Sequence, residues 1–160
     1  MNWEAVAATS EVVGAIAVIV SLVYLATQVT VSNRLARAEA WRVPNSDLNS
    51  LNAAFATDPV FRGAQFKLYD GGVDRSGLSD DECVAMDMYM VSVLNIYEQL
   101  YREVREGTLK DYAIRDFGAR SMLDLLYFQK SWPLYKPSLG PSFVEYFEAN
   151  LMSKSDCGDT

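Results

Sequence analysis

"EVVGAIAVIVSLVYLATQVTVSN", Glu11–Asn33, decides how the rest of the chain is read. No charged side chain separates Glu11 from Arg34. As a helix, that gap of about 22 residues covers roughly 33 Å, and a bilayer's hydrocarbon core is about 30 Å thick. Its densest part, Val12–Ala26, holds one Gly, one Ser and one Tyr among Val, Ile, Ala and Leu; it is too long for a buried strand, and no cluster of turn residues bounds it. Two rivals remain: the core helix of a soluble protein and a cleaved signal peptide. The second fits poorly, because Glu4 and Glu11, not Lys or Arg, precede the apolar run, which also exceeds a normal signal core. The reading adopted is an uncleaved transmembrane helix with Trp3 at one interface.

The flanks set an orientation. Arg34, Arg37 and Arg42 follow the span, and no Lys or Arg precedes it. The positive-inside rule then places the N-terminus outside and the remainder in the cytoplasm. Trp3, Arg34, Arg37 and Arg42 are the expected contacts with lipid headgroups. Ser10, Gly14, Ala17 and Ser21 recur at spacings of four, three and four, and Tyr24 and Gln28 extend the stripe. Small residues on one stripe let helix backbones approach closely in lipid, so these six are the expected helix–helix interface.

Beyond the span the pattern is helical throughout. The expected fold is all-α: a membrane helix with a cytoplasmic extension over 1–43, a helical bundle over 44–152, and a flexible tail over 153–160. Pro44 is expected to end the first helix at Val43. A second helix should start at Asn45 or Ser46 and end before Pro59, and a third should stop at Gly71-Gly72. "LSDDE" (Leu78–Glu82) holds a capping box, with Ser79 at the N-cap and Glu82 at N3. The helix it opens is apolar nearly all round from Val84 to Ile96, then amphipathic with a Glu98–Arg102 pair, and Gly107 ends it. Thr108 should cap one long helix reaching Lys130, with Asp116 and Arg120 paired. "SWPLYKPSLG" reads as a proline-broken connection, and Pro141 opens the last helix.

Composition narrows the function. The chain has no histidine, so it lacks the usual general base and the commonest metal ligand. Its net charge is -7, with no Lys/Arg cluster, which argues against nucleic acid as a partner. Cys83 and Cys157 are far apart and form no metal or disulfide framework. Asp80, Asp81 and Glu82 could be taken for a metal or acid–base cluster, but capping explains all three. "DGGVDRSGLSDDE" lacks the EF-hand spacing. The expectation is therefore no enzyme, no catalytic residue, no metal and no cofactor.

Several stretches together carry a resemblance. "EVVGAIAVIVSLVYLATQV" followed by "SNRLARAEA", and later "LSDDE", "YEQLYREVREGTL" and "SWPLYKPSLGPSFVEYF", are similar to a widespread family of small bacterial single-pass membrane proteins with a cytoplasmic helical half. The likeness covers most of the chain, and its motifs are structural. This sequence departs from the pattern at Thr30-Val31, where an arginine often stands, and at Tyr112, where a Trp often stands. The resemblance implies a bacterial inner-membrane location and transfers no catalytic residue. Two functional readings lead, ahead of a histidine-free enzyme using Asp, Tyr or Arg. In the first, the protein acts by association, as a homo-oligomer or as an accessory subunit of a larger membrane complex, with lipid and itself or that complex as partners. In the second it is a ligand sensor, with Met86, Met88 and Met90 lining an apolar pocket in the bundle.

Overall fold

A computed structural model describes residues 3–152, and the fold is all-α. The elements are α1 (Trp3–Ala56), α2 (Pro59–Gly71), α3 (Asp80–Arg105), α4 (Tyr112–Arg115), α5 (Arg120–Leu123), α6 (Leu126–Tyr135) and α7 (Pro141–Phe147). Two 3-10 turns (Arg75–Gly77, Lys136–Ser138) and a closing π-helical turn (Glu148–Met152) complete it. The chain divides into two units between Glu39 and Ala40. The expected tail, with Cys157, lies outside the described residues.

In the second unit α3 is the centre. Met86, Tyr89, Met90, Val93, Leu94, Tyr97 and Leu100 are buried along it, with α2 packed beside it. The capping box forms as the sequence predicts. Ser79 Oγ accepts the Glu82 N–H at 3.3 Å, and Glu82 Oε2 accepts the Ser79 N–H at 2.8 Å. Lys67 of α2 also reaches Glu82 Oε2, at 2.7 Å, so the cap doubles as a tie between helices. Ser79→Ala should cost about 1 kcal/mol. Urea unfolding followed by circular dichroism checks this, and Asp81→Asn, which makes no part of the box, serves as its comparison.

At its other end α3 closes with a Schellman motif. Gly107 takes φ 76, its N–H donates to the Val104 carbonyl at 3.0 Å, and the Thr108 N–H donates to the Glu103 carbonyl at 3.0 Å. Thr108 is thus spent on ending α3 and does not cap a new helix. The long helix expected from Thr108 to Lys130 is instead α4, α5 and most of α6. A straight helix would present only one side of an all-round apolar segment to the core. Breaking it brings Ile114, Phe117, Met122, Leu123 and Phe128 to bury together. The side chain of Arg120, expected opposite Asp116, lies outside the described residues.

Both internal prolines differ from expectation. α1 continues through Pro44 to Ala56. A mid-helix proline costs about 3 kcal/mol or more in a solvated helix. Here Pro44 is buried and begins a stripe that runs through Leu48, Leu51 and Phe55 at spacings of four, three and four. The Asn45 side-chain amide donates to the Trp41 carbonyl at 2.8 Å, next to the Ala40 carbonyl that Pro44, without an N–H, cannot serve. α6 likewise runs through Pro133. Its exposed face carries Pro133 and Gln129, so water reaches the carbonyl that loses its partner, while Trp132 and Tyr135 bury on either side.

Two further corrections concern α3. It is not buried all round, since Val84 and Met88 are exposed. Glu98 makes no ion pair with Arg102 among the described residues. Its carboxylate lies over Gly140, where Oε1 would sit 2.9 Å from a Cβ.

Candidate functional site

The first feature is the charge-free part of α1. Its apolar window is long enough to cross a membrane, and none of it is buried within the chain. Twelve large apolar side chains from Val12 to Val31 stand exposed. An exposed apolar surface of this extent requires a cover of lipid or protein. Three of its hydroxyls are satisfied by their own helix. Ser21 Oγ donates to the Ala17 carbonyl at 2.8 Å, Thr27 Oγ1 to Tyr24 at 2.7 Å, and Thr30 Oγ1 to Ala26 at 2.9 Å. Such back-bonding removes the cost of placing a hydroxyl in hydrocarbon. Ser10, Gly14, Ala17, Ser21, Tyr24 and Gln28 are all exposed on this helix, and no atom lies within 4 Å of the place a Cβ on Gly14 would occupy. Trp3, Arg34, Arg37 and Arg42 are exposed too, outside the charge-free run.

The second feature was not legible in the sequence. Asp87 of α3 accepts from three side chains. Arg75 grips it bidentately, Nη1 to Oδ1 at 2.8 Å and Nη2 to Oδ2 at 2.7 Å. The Tyr127 and Tyr135 hydroxyls of α6 donate to the same Oδ1 at 2.6 and 2.7 Å. Beside this cluster, Lys130 of α6 pairs with Asp74, whose carboxylate caps the Arg75–Gly77 turn. The α2–α3 connection is thereby stapled to both α3 and α6.

The chemistry of this cluster is that of a lock. Burial pushes the Asp87 carboxyl up, but hydrogen bonds from Arg75, Tyr127 and Tyr135 outweigh that and hold it below the ordinary carboxylate value. Its oxygens are occupied and its proton affinity is low, the reverse of what a general base needs. Burial and the Asp87 carboxylate push both tyrosines well above their usual range, so they remain donors. Burial also raises the Cys83 thiol, which donates to the Arg75 carbonyl at 3.6 Å. A buried, protonated thiol is a packing group, not a nucleophile.

The depressed Asp87 value sets the sign of the pH effect. A carboxylate whose folded value is depressed contributes stability above its unfolded value of about 3.9, and that contribution is lost as pH falls through the folded value. Asp87→Asn should cost about 2 kcal/mol at pH 7, with the partly exposed Arg75 keeping the figure moderate. Below about pH 4 the difference between wild type and variant should shrink. Denaturation series at pH 7 and pH 3 measure both.

Other polar ties serve packing. Trp132 Nε1 and Lys136 Nζ both donate to Glu148 Oε1, at 2.8 and 2.7 Å. The Tyr89 hydroxyl donates to Asn52 Oδ1 at 2.6 Å. Met86 and Met90 are fully buried in the core and Met88 points to solvent, so the three do not line one pocket. Among the described residues no group of three His, Cys, Asp or Glu side chains could hold a metal ion. No family model matches the chain, and no curated protein or solved structure matches it.

Proposed function

We propose that this is a single-pass membrane protein that works by association, as a homo-oligomer or as an accessory subunit of a larger membrane complex, and not by catalysis. The observation that carries the reading is the exposed apolar stretch of α1 with its self-satisfied hydroxyls. The arginines after the span favour a cytoplasmic helical domain and an external N-terminus, and the resemblance favours a bacterial inner membrane. The locked state of Asp87, Tyr127 and Tyr135 supports a scaffold over an enzyme.

Helices in lipid gain nothing from hydrophobic burial against each other, so close backbone approach must hold them. Gly14→Leu should therefore reduce the size of the detergent-solubilised complex, and Val13→Leu, on another face, should leave it unchanged. Size-exclusion chromatography with mass spectrometry of co-purifying chains reads both size and partner. A monomer in every sample, with nothing co-purifying, would remove the association reading.

A further inference from the structure

The proposed association leaves open whether the partner is a second copy or another protein, and the juxtamembrane part of α1 discriminates between them. Toward Arg34, where the charge-free run of α1 ends, the proposed span gives way to water, and there apolar side chains do drive pairing. Between Thr30 and Glu39 the large apolar residues are Val31 and Leu35, and they are 54% and 66% exposed. Their spacing of four continues to Ala38 at three, so they lie in the same 3–4 register as Ser21, Tyr24 and Gln28. In heptad terms Gln28 and Leu35 fall at a, and Tyr24, Val31 and Ala38 at d. Arg34 then falls at g and Glu39 at the e position of the next heptad. In a parallel pair, g of one helix faces that e position of its partner, so each Arg34 meets a Glu39 across the seam. In an antiparallel pair g would face g, setting Arg34 against Arg34. Two helices of one sequence inserted in the same direction are parallel, the arrangement that the charges favour.

We infer that Gln28–Glu39 of α1 pairs with the same segment of a second copy as a parallel coiled coil. The seam is Val31, Leu35 and Ala38, and it is flanked by reciprocal Arg34–Glu39 contacts. The inference rests on the association reading and names its partner as self.

Single cysteines at 31, 33, 35, 36 and 38, introduced into the full chain carrying Cys83→Ala and Cys157→Ser, test it by oxidative cross-linking in native membranes. Val31→Cys, Leu35→Cys and Ala38→Cys should form disulfide dimers severalfold more readily than Asn33→Cys and Ala36→Cys, which lie on the far face. A flat profile, or a maximum at 33 and 36, overturns the seam. A charge swap in the native-cysteine background provides the second measurement. Arg34→Glu and Glu39→Arg should each lower the dimer fraction, and the two together should restore it. Failure of the double variant to recover overturns the pairing of charges. Dimers that cross-link only on another face would sink the seam and leave the association reading standing. A stoichiometric foreign subunit without any self-cross-link would also sink the seam while supporting the accessory role. Monomers alone would end both.

Discussion

Removing residues 1–33 is expected to move the chain from the membrane fraction to the soluble fraction. Each large apolar side chain contributes about 1.5–3 kcal/mol when taken out of water. The exposed side chains between Val12 and Val31 together represent a gross driving force on the order of 20–30 kcal/mol toward an apolar surrounding. Nothing else on the described surface approaches that. The remaining exposed aromatics are few: Trp41 on α1, Phe66 and Tyr69 on α2, and Tyr112 on α4. Carbonate-washed membranes from cells expressing the full and shortened chains make the comparison. If the shortened chain stays in the pellet, the anchor lies in the helical domain, and the reading of α1 as a span loses its support.

Phe147→Ala should be the most destabilising single substitution in the helical domain, at about 3–5 kcal/mol. Phe147 is fully buried. Its ring stacks on Trp132 at 5.0 Å and meets Phe143, Tyr97 and Phe128 at 5.4, 5.9 and 6.2 Å. Truncation removes the transfer energy of the ring and leaves a cavity among four other rings, whose shapes cannot collapse to fill it. A domain of this size is stable by about 5–15 kcal/mol, so the loss is a large fraction of the total. Phe66→Ala, at an exposed ring, should change stability by less than about 0.5 kcal/mol. Chemical denaturation of the two variants, followed by helical circular dichroism, distinguishes them. Equal effects would mean that the aromatic cluster around α7 does not hold the domain together.

What the sequence revealed was whatever its near neighbours decide. The Ser79–Glu82 box, the stop at Gly71-Gly72 and the start at Pro141 each depend on residues within one turn, and each forms as expected. Pro44, Thr108 and Pro133 depart from expectation for one reason. Local rules assign them to boundaries, whereas burial of Pro44, the Schellman closure at Gly107 and the water-facing side of Pro133 are decided by the tertiary fold. The stripe Pro44–Leu48–Leu51–Phe55 was a usable signal, since its period runs across the proline without interruption. The Asp87 cluster offered less. Its partners stand 12, 40 and 48 residues away along the chain, and a lone aspartate in an apolar helix does not announce which tyrosines will reach it.

Those separations also order the domain in time. Lys67 and Glu82 are 15 residues apart, and Arg75 and Asp87 are 12, so α2 and the first turns of α3 can close on each other while synthesis continues. Tyr127, Lys130 and Tyr135 join only after a further 40 or more residues have been made. Until α6 docks, the face of α3 that will receive it lies open, and Asp87 holds Arg75 in water without its two phenols. The polar lock therefore shuts late, ahead only of ties such as Trp132 and Lys136 to Glu148. A chain interrupted before Leu126 lacks every α6 partner of Asp87, and the side of α3 that α6 covers is left bare.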